Sequence, residues 1–225
     1  TSFVMNIVTN VARKSDRQCA VFSLEMSKEQ LATRLLSSEA LVSSNSLKTG
    51  KISSDEWVRL ASGADVLSRM PIYIDDTAGI TVPQMKAKLR RMNNLGLVVI
   101  DYLQLMSSGR RIDNRVTEIS EITRQLKLMA KELNVPIITL SQLSRGPESR
   151  TDHRPLLSDL RESGSIEQDA DVIMFLYRDA YYNKESEQQN ISECIISKNR
   201  HGETGTVNLV WDGQFTRFSN AEITR

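Results

Sequence analysis

Three short apolar runs each end on a polar residue of a kind that handles phosphate. Val21-Phe22-Ser23-Leu24 leads to Glu25, Leu97-Val98-Val99-Ile100 to Asp101, and Ile137-Ile138-Thr139-Leu140-Ser141 to Gln142. Four apolar residues and an acid have the shape of a Walker B element. There a strand buries its side chains and the carboxylate at its tip holds Mg²⁺, usually through water. The same pattern also describes an Asp that merely opens a turn. A carboxylate at Glu25 is placed to deprotonate an attacking water, or to meet the dipole of the helix that comes next. Gln142 both donates and accepts, which suits a sensor of a terminal phosphate and equally a structural amide. Thr1 opens an amphipathic helix. That is where the last hydroxyl of a G-x-x-x-x-G-K-[ST] loop would bind Mg²⁺ while backbone amides cradle phosphates. The glycines and lysine of such a loop would lie upstream, so the expectation is a fragment beginning at the loop's last residues.

These residues need a sheet to align them. Phe3, Val4, Ile7, Val8 and Val11 recur at helical spacing from the first residues. Apolar strands are predicted at 18–24, 72–75, 97–100 (the strongest, within 95–106), 135–141 and 171–177. Helices between them are announced by Ser27-x-x-Gln30, by Ser53-x-x-Glu56, and by Thr81 with Pro83 in the first turn. A long helix carries Val116, Ile119, Ile122, Leu126, Met129 and Leu133 on one face. Continuous rather than alternating apolarity marks strands covered on both faces, as in a mainly parallel sheet between helices. Residues 191–198, 206–212 and 214–218 alternate instead, with Asp212-Gly213 at an expected two-residue turn. The predicted fold is therefore α/β, a mainly parallel sheet flanked by helices with an antiparallel C-terminal extension.

Composition narrows the class. The 225 residues are 40% hydrophobic and 25% charged, with Lys+Arg 29 against Asp+Glu 28 and a net charge of +1. That excludes collagen-like and disordered chains. No apolar run approaches the roughly 18 residues of a spanning helix, and no signal peptide opens the chain. Cys19 and Cys194 lie in apolar stretches, as buried thiols in a reducing cytosol do. Near-neutral charge means that any nucleic-acid contact must come from a local patch.

The stretches TSFVMNIV, VFSLEMS, LVVIDYLQLM, TLSQLSRG, LSDLRESGSIEQDADVIMFLYR and SKNRHGETGTVNLVW, in this order, resemble the C-terminal motor domain of replicative DNA helicases of the DnaB type. The resemblance implies a RecA-like P-loop NTPase core and a single motor domain over 1–225, truncated at its N-terminus. It implies Thr1 as the P-loop hydroxyl and Asp101 as the Walker B acid, both on Mg²⁺, and Glu25 as the base that activates water. Gln142 would couple nucleotide state to DNA-facing loops. Lys198 and Arg200 would reach a neighbouring subunit's γ-phosphate; without the resemblance both read as solvated edge-strand charges. Arg161, Glu162 and Gly164 match the loop that holds the DNA backbone, which an Arg and a glycine amide can do without reading bases. Arg110 and Arg111, and Arg145, Arg150 and Arg154, are further channel-facing candidates.

The same resemblance implies an ATP- and Mg²⁺-dependent cytoplasmic helicase, a homohexamer on single-stranded DNA, with primase and a helicase loader as partners. Two alternatives stand beside it. Without the P-loop lysine, these residues alone would be a DNA-binding or assembly module that does not hydrolyse ATP. A recombinase-type RecA-like ATPase would lack the LRESGSIEQDAD stretch.

Overall fold

Helices begin where the sequence has its caps. The computed structural model describes residues 1–160 and 164–221. The elements run α1 (Ser2–Ser15), β1 (Gln18–Ser23), α2 (Lys28–Ala40), α3 (Ser44–Thr49), α4 (Ser54–Ser68), β2 (Ile72–Asp75) and α5 (Val82–Leu89). They continue β3 (Leu95–Asp101), α6 (Arg115–Leu133), β4 (Ile137–Thr139), α7 (Gly146–Ser149), α8 (Gly164–Asp169), β5 (Val172–Tyr177), α9 (Asp179–Tyr182), β6 (Ile191–Asn199), β7 (Gly205–Asp212) and β8 (Arg217–Asn220). Ser27, Ser53 and Thr81 each accept from the amide three residues on, while Gln30, Glu56 and Gln84 reach back to the cap amide. These are reciprocal capping boxes, and the first two are those the S-x-x-Q/E spacing predicts.

Strands β2-β1-β3-β4 form a parallel sheet in that order. Cys19, Val21, Leu97 and Val99 face α1 and α2, while Ala20, Phe22, Val98 and Ile100 face α5 and α6. Burial on both faces is why these strands read as unbroken apolar runs. Each valine, leucine, isoleucine or phenylalanine among them contributes about 1.5–3 kcal/mol through its removal from water. Val116, expected on the buried face of α6, is 50% exposed, because the helix settles on Ile119, Ile122, Leu126 and Met129.

The second sheet has the order β5-β6-β7-β8 and is antiparallel throughout. It changes the expected place of β5, whose apolar run predicts a parallel strand. Ile173, Phe175 and Tyr177 are buried, whereas Val172, Met174 and Leu176 are 45%, 41% and 43% exposed. Only one face of β5 is covered, and apolarity alone does not tell a covered face from an open one. Ile173 and Phe175 share an apolar cluster with Val98 and Ile100, so both sheets close on one core. The turn after β7 also differs. Asp212 pairs with Arg217, leaving four residues between them, and Thr216 takes a φ of 51°. Gly213 does not adopt the positive φ that a two-residue turn demands, so β8 starts at Arg217.

Cys19 and Cys194 are free and buried. Burial pushes the Cys19 thiol up to about 11 and raises that of Cys194 as well. Neither thiol is therefore expected to react with iodoacetamide at pH 8 until the chain unfolds. Mass spectrometry with and without urea checks this, and rapid labelling of the native protein would contradict it. Among the described residues, no helix is long and apolar enough to cross a membrane.

Candidate functional site

Register collects the candidate residues at one edge of the parallel sheet. Ser23 lies opposite Asp101, and Ile100 opposite Thr139. The backbone keeps the strands together past their ends: Leu24 N donates to Asp101 O at 2.7 Å, Leu140 N to Ile100 O at 2.9 Å, and Leu103 N to Leu140 O at 2.9 Å. Glu25, Asp101 and Gln142 thus leave adjoining strands at their carboxyl ends, where open α/β sheets bind ligands. The peptide bond between Asp101 and Tyr102 is cis.

Asp101 is 4% exposed, and its Oδ2 accepts a hydrogen bond from Thr1 Oγ1 at 2.5 Å. Thr1 is the cap residue of α1, yet its side chain makes no bond to the helix's own amides. The hydroxyl is committed to Asp101, and the first-turn N–H groups stay available to an anion. Glu25 is exposed at the mouth of this site. A hydroxyl and a carboxylate are hard oxygen donors of the kind Mg²⁺ takes beside water and phosphate, so the pair fits that ion.

The sequence pattern misses two members of the site. Gln104, just after β3, donates from Nε2 to Ser141 Oγ at 2.9 Å, and its Oε1 accepts from Gln142 N at 3.1 Å. It ties the tips of β3 and β4 together. Nothing in its sequence context distinguishes it from a solvated amide. The second is an aromatic wall beside α1. Phe218 lies edge-on to Phe3 at 5.4 Å and 4.5 Å from Trp211, whose ring has the Arg178 guanidinium 6.0 Å from its centroid. Asn6 Oδ1 accepts from Phe218 N at 2.7 Å, fixing β8 to α1. Such a wall with a nearby cation can receive a planar ring. Its members lie far apart in sequence, so no local pattern announces it.

Lys198 and Arg200 are not brought to Thr1, Glu25 or Asp101 by any contact among the described residues. Nor do they stand on an edge strand, since β6 runs between β5 and β7. Lys198 Nζ donates to the carbonyl of Glu167, and Arg200 Nη2 to that of Gln168 at 3.1 Å. Of the candidate DNA-contacting residues, Arg161 and Glu162 lie outside the described residues, while Gly164 is exposed at the start of α8. Two of the loop arginines brace the fold instead. Arg150 pairs with the buried Asp159, and Arg154 pairs with Glu193 while lying 4.9 Å from the centroid of Tyr177. Arg110 and Arg111 sit near Glu121 and Asp113 at 3.6 and 4.0 Å, and Arg145 borders a cleft of about 690 Å³ with Gln142 and Tyr182.

A parallel sheet with its acids at the strand tips, closed by an antiparallel sheet, is the architecture of a RecA-like ATPase domain, and two solved structures have it. One, described as an ATPase domain, superposes with a TM-score of 0.94 at 42% identity, over 98% of this chain and 80% of that one. A DnaB-like replicative helicase, described with its interactions with primase, superposes with a TM-score of 0.95 at 42% identity, over 99% of this chain and 56% of that one. Residues 1–220 match the family described as the DnaB-like helicase C terminal domain, and the chain belongs to that family. It is 52% identical over 226 aligned residues to the replicative DNA helicase DnaC of Bacillus subtilis (strain 168), and equally to the replicative DNA helicase DnaB of Geobacillus stearothermophilus. In both cases 99% of this chain aligns with 50% of the relative, so it spans about half their length.

Proposed function

We propose that these residues are the motor domain of a longer, ATP-driven replicative DNA helicase, with the rest of the phosphate cradle supplied by sequence preceding Thr1. The observation that carries this reading is the Thr1–Asp101 hydrogen bond at 2.5 Å, at a strand tip whose neighbour carries Glu25. A nucleotide whose phosphates lie at the N-terminus of α1 meets free amides and the positive end of that helix. Thr1 and Asp101 would hold Mg²⁺, which when bound neutralises charge on the phosphate oxygens. Glu25, exposed beside them, takes a proton from the attacking water. Gln142 reports loss of the terminal phosphate to the chain beyond β4. Lys198 and Arg200 serve the site of an adjacent subunit, in keeping with their lack of contact with this chain's own site.

Arg161, Glu162 and Gly164 would hold the sugar–phosphate backbone of single-stranded DNA within a homohexameric ring. Primase and a loader would be partners of that ring in the cytoplasm. Unwinding of a forked duplex by the full-length protein tests the reading. Glu25→Gln is expected to abolish it while Mg²⁺-ATP still binds by titration calorimetry, because removing a general base costs about 10²–10⁴ in rate. Unwinding at the unmodified rate would overturn the assignment.

A further inference from the structure

The antiparallel register pairs Val172 with Asn199 and Ile173 with Lys198, which sets Asp171 against Arg200 at the end of the ladder. There Arg200 N donates to Asp171 O at 2.8 Å, and Arg200 Nε sits 3.5 Å from Asp171 Oδ1. The guanidinium also covers the carbonyl of Gln168, as Lys198 covers that of Glu167. Both carbonyls belong to the last turn of α8 and have no further turn to bond to. From the other side, α6 completes the clasp: Thr123 Oγ1 donates to Asp169 Oδ2 at 2.7 Å, and Lys127 forms an ion pair with Asp171. Asp171 is held below the usual carboxylate range by its hydrogen bond from Lys127, with the Lys127, Arg200 and His201 charges adding to this, so it is ionised at neutral pH. One carboxylate is therefore shared by two cations, one from α6 and one from the end of β6.

We propose that Asp171 is a positioning residue that parks the Arg200 guanidinium on α8, and that Lys127, on the other carboxylate oxygen, weakens that hold by neutralising its charge. The inference rests on the proposed role of Arg200 at an adjacent subunit's phosphate. Contacts to Asp171 and the Gln168 carbonyl leave some N–H groups free but hold the side chain against its own subunit, so reaching phosphoryl oxygens on an adjacent one means giving these contacts up. Engagement of phosphate then requires Arg200 to leave α8, whose first residue, Gly164, ends the proposed DNA-contacting loop. The position of α8 and the availability of Arg200 become two readings of one equilibrium, and each ligand biases the other's site.

Opposite shifts from two variants test this in the full-length protein, with ATP hydrolysis measured with and without single-stranded DNA. Asp171→Asn releases Arg200 and is expected to raise DNA-independent hydrolysis about threefold and to reduce the stimulation by DNA. Lys127→Met leaves the carboxylate to Arg200 alone and is expected to lower DNA-independent hydrolysis by about the same factor. A merely structural role would move both variants the same way, and that result, or no change in either, overturns the proposal. Should Asp171→Asn fail to fold, Lys127→Met decides by itself: a fall in DNA-independent hydrolysis with greater stimulation by DNA supports parking, and any other outcome removes it. Arg200→Ala separates the two levels. Hydrolysis surviving that change removes the underlying reading, whereas its loss together with unshifted Asp171 and Lys127 variants removes only the parking.

Discussion

Arg200→Ala in the full-length protein is expected to lower the turnover of ATP by about 10³-fold or more, the range that a transition-state arginine contributes in NTPases. The change falls on turnover and not on binding, because the guanidinium meets charge that grows as the phosphoryl group transfers. Its side chain is 46% exposed, so removing it opens no cavity, and nucleotide affinity should stay within a few-fold of the unmodified protein. Single-turnover hydrolysis alongside calorimetric titration separates the two quantities. The shared-site reading makes a sharper claim. Subunits carrying Arg200→Ala and subunits carrying Glu25→Gln are each inactive alone. In a random equal mixture, about one head-to-tail interface in four joins an intact Glu25 to an intact Arg200. Recovered hydrolysis in the mixture supports a site built across the interface. A mixture as inactive as its components means that both residues act within one subunit.

Asp159→Ala is expected to destabilise the fold by about 3 kcal/mol, toward the low end of the cost of breaking a buried ion pair because Arg150 keeps some water. The carboxylate side chain is 5% exposed and that of Arg150 is 30% exposed. Asp159 Oδ1 accepts from Arg150 Nη1 at 2.9 Å, Oδ2 accepts from Arg150 Nη2, and Oδ2 also takes the Leu156 amide at 2.7 Å. Gly146 must be a glycine here, since a Cβ would stand 2.4 Å from Asp159 Oδ1. Removing the carboxylate strands a partly buried guanidinium and an amide together. The chain from Gln142 to Leu160 is closed on itself by the Leu143–Leu160 bridge and by Ser144 N on Asp159 O at 2.7 Å, so it should loosen as a unit.

Denaturant titration measures the loss, and a change under about 1 kcal/mol would show that the pair contributes little. The dependence on pH has a definite sign. Arg150 holds Asp159 below the usual carboxylate range. Its contribution is therefore present above the unfolded value of about 4 and is lost as pH falls through the lower folded value. Acid unfolding of Asp159→Asn should lack that component.

Much of this protein is legible without coordinates. Strands covered on both faces leave unbroken apolar runs, so β1 and β3 stand out, and a polar residue that ends such a run marks the tip of a strand. Capping boxes are local bonds between residues three apart, so Ser27 and Ser53 declare the starts of α2 and α4. These features depend on neighbours in sequence, and sequence determined them: the α/β class, the polar strand tips at Glu25, Asp101 and Gln142, and the helix that opens at Thr1. Tertiary structure decided the rest, because the remaining contacts join residues far apart along the chain. It took β5 out of the parallel sheet, since an apolar run does not say which face a distant segment covers. It set Thr1 against Asp101 and brought Phe218 to Phe3. It also gave partners to charges that read as channel-facing or solvated, Arg150 for Asp159 and Lys198 and Arg200 for the end of α8. A charge's role depends on which carboxylate or carbonyl folding brings within hydrogen-bonding distance, and no spacing along the chain specifies that.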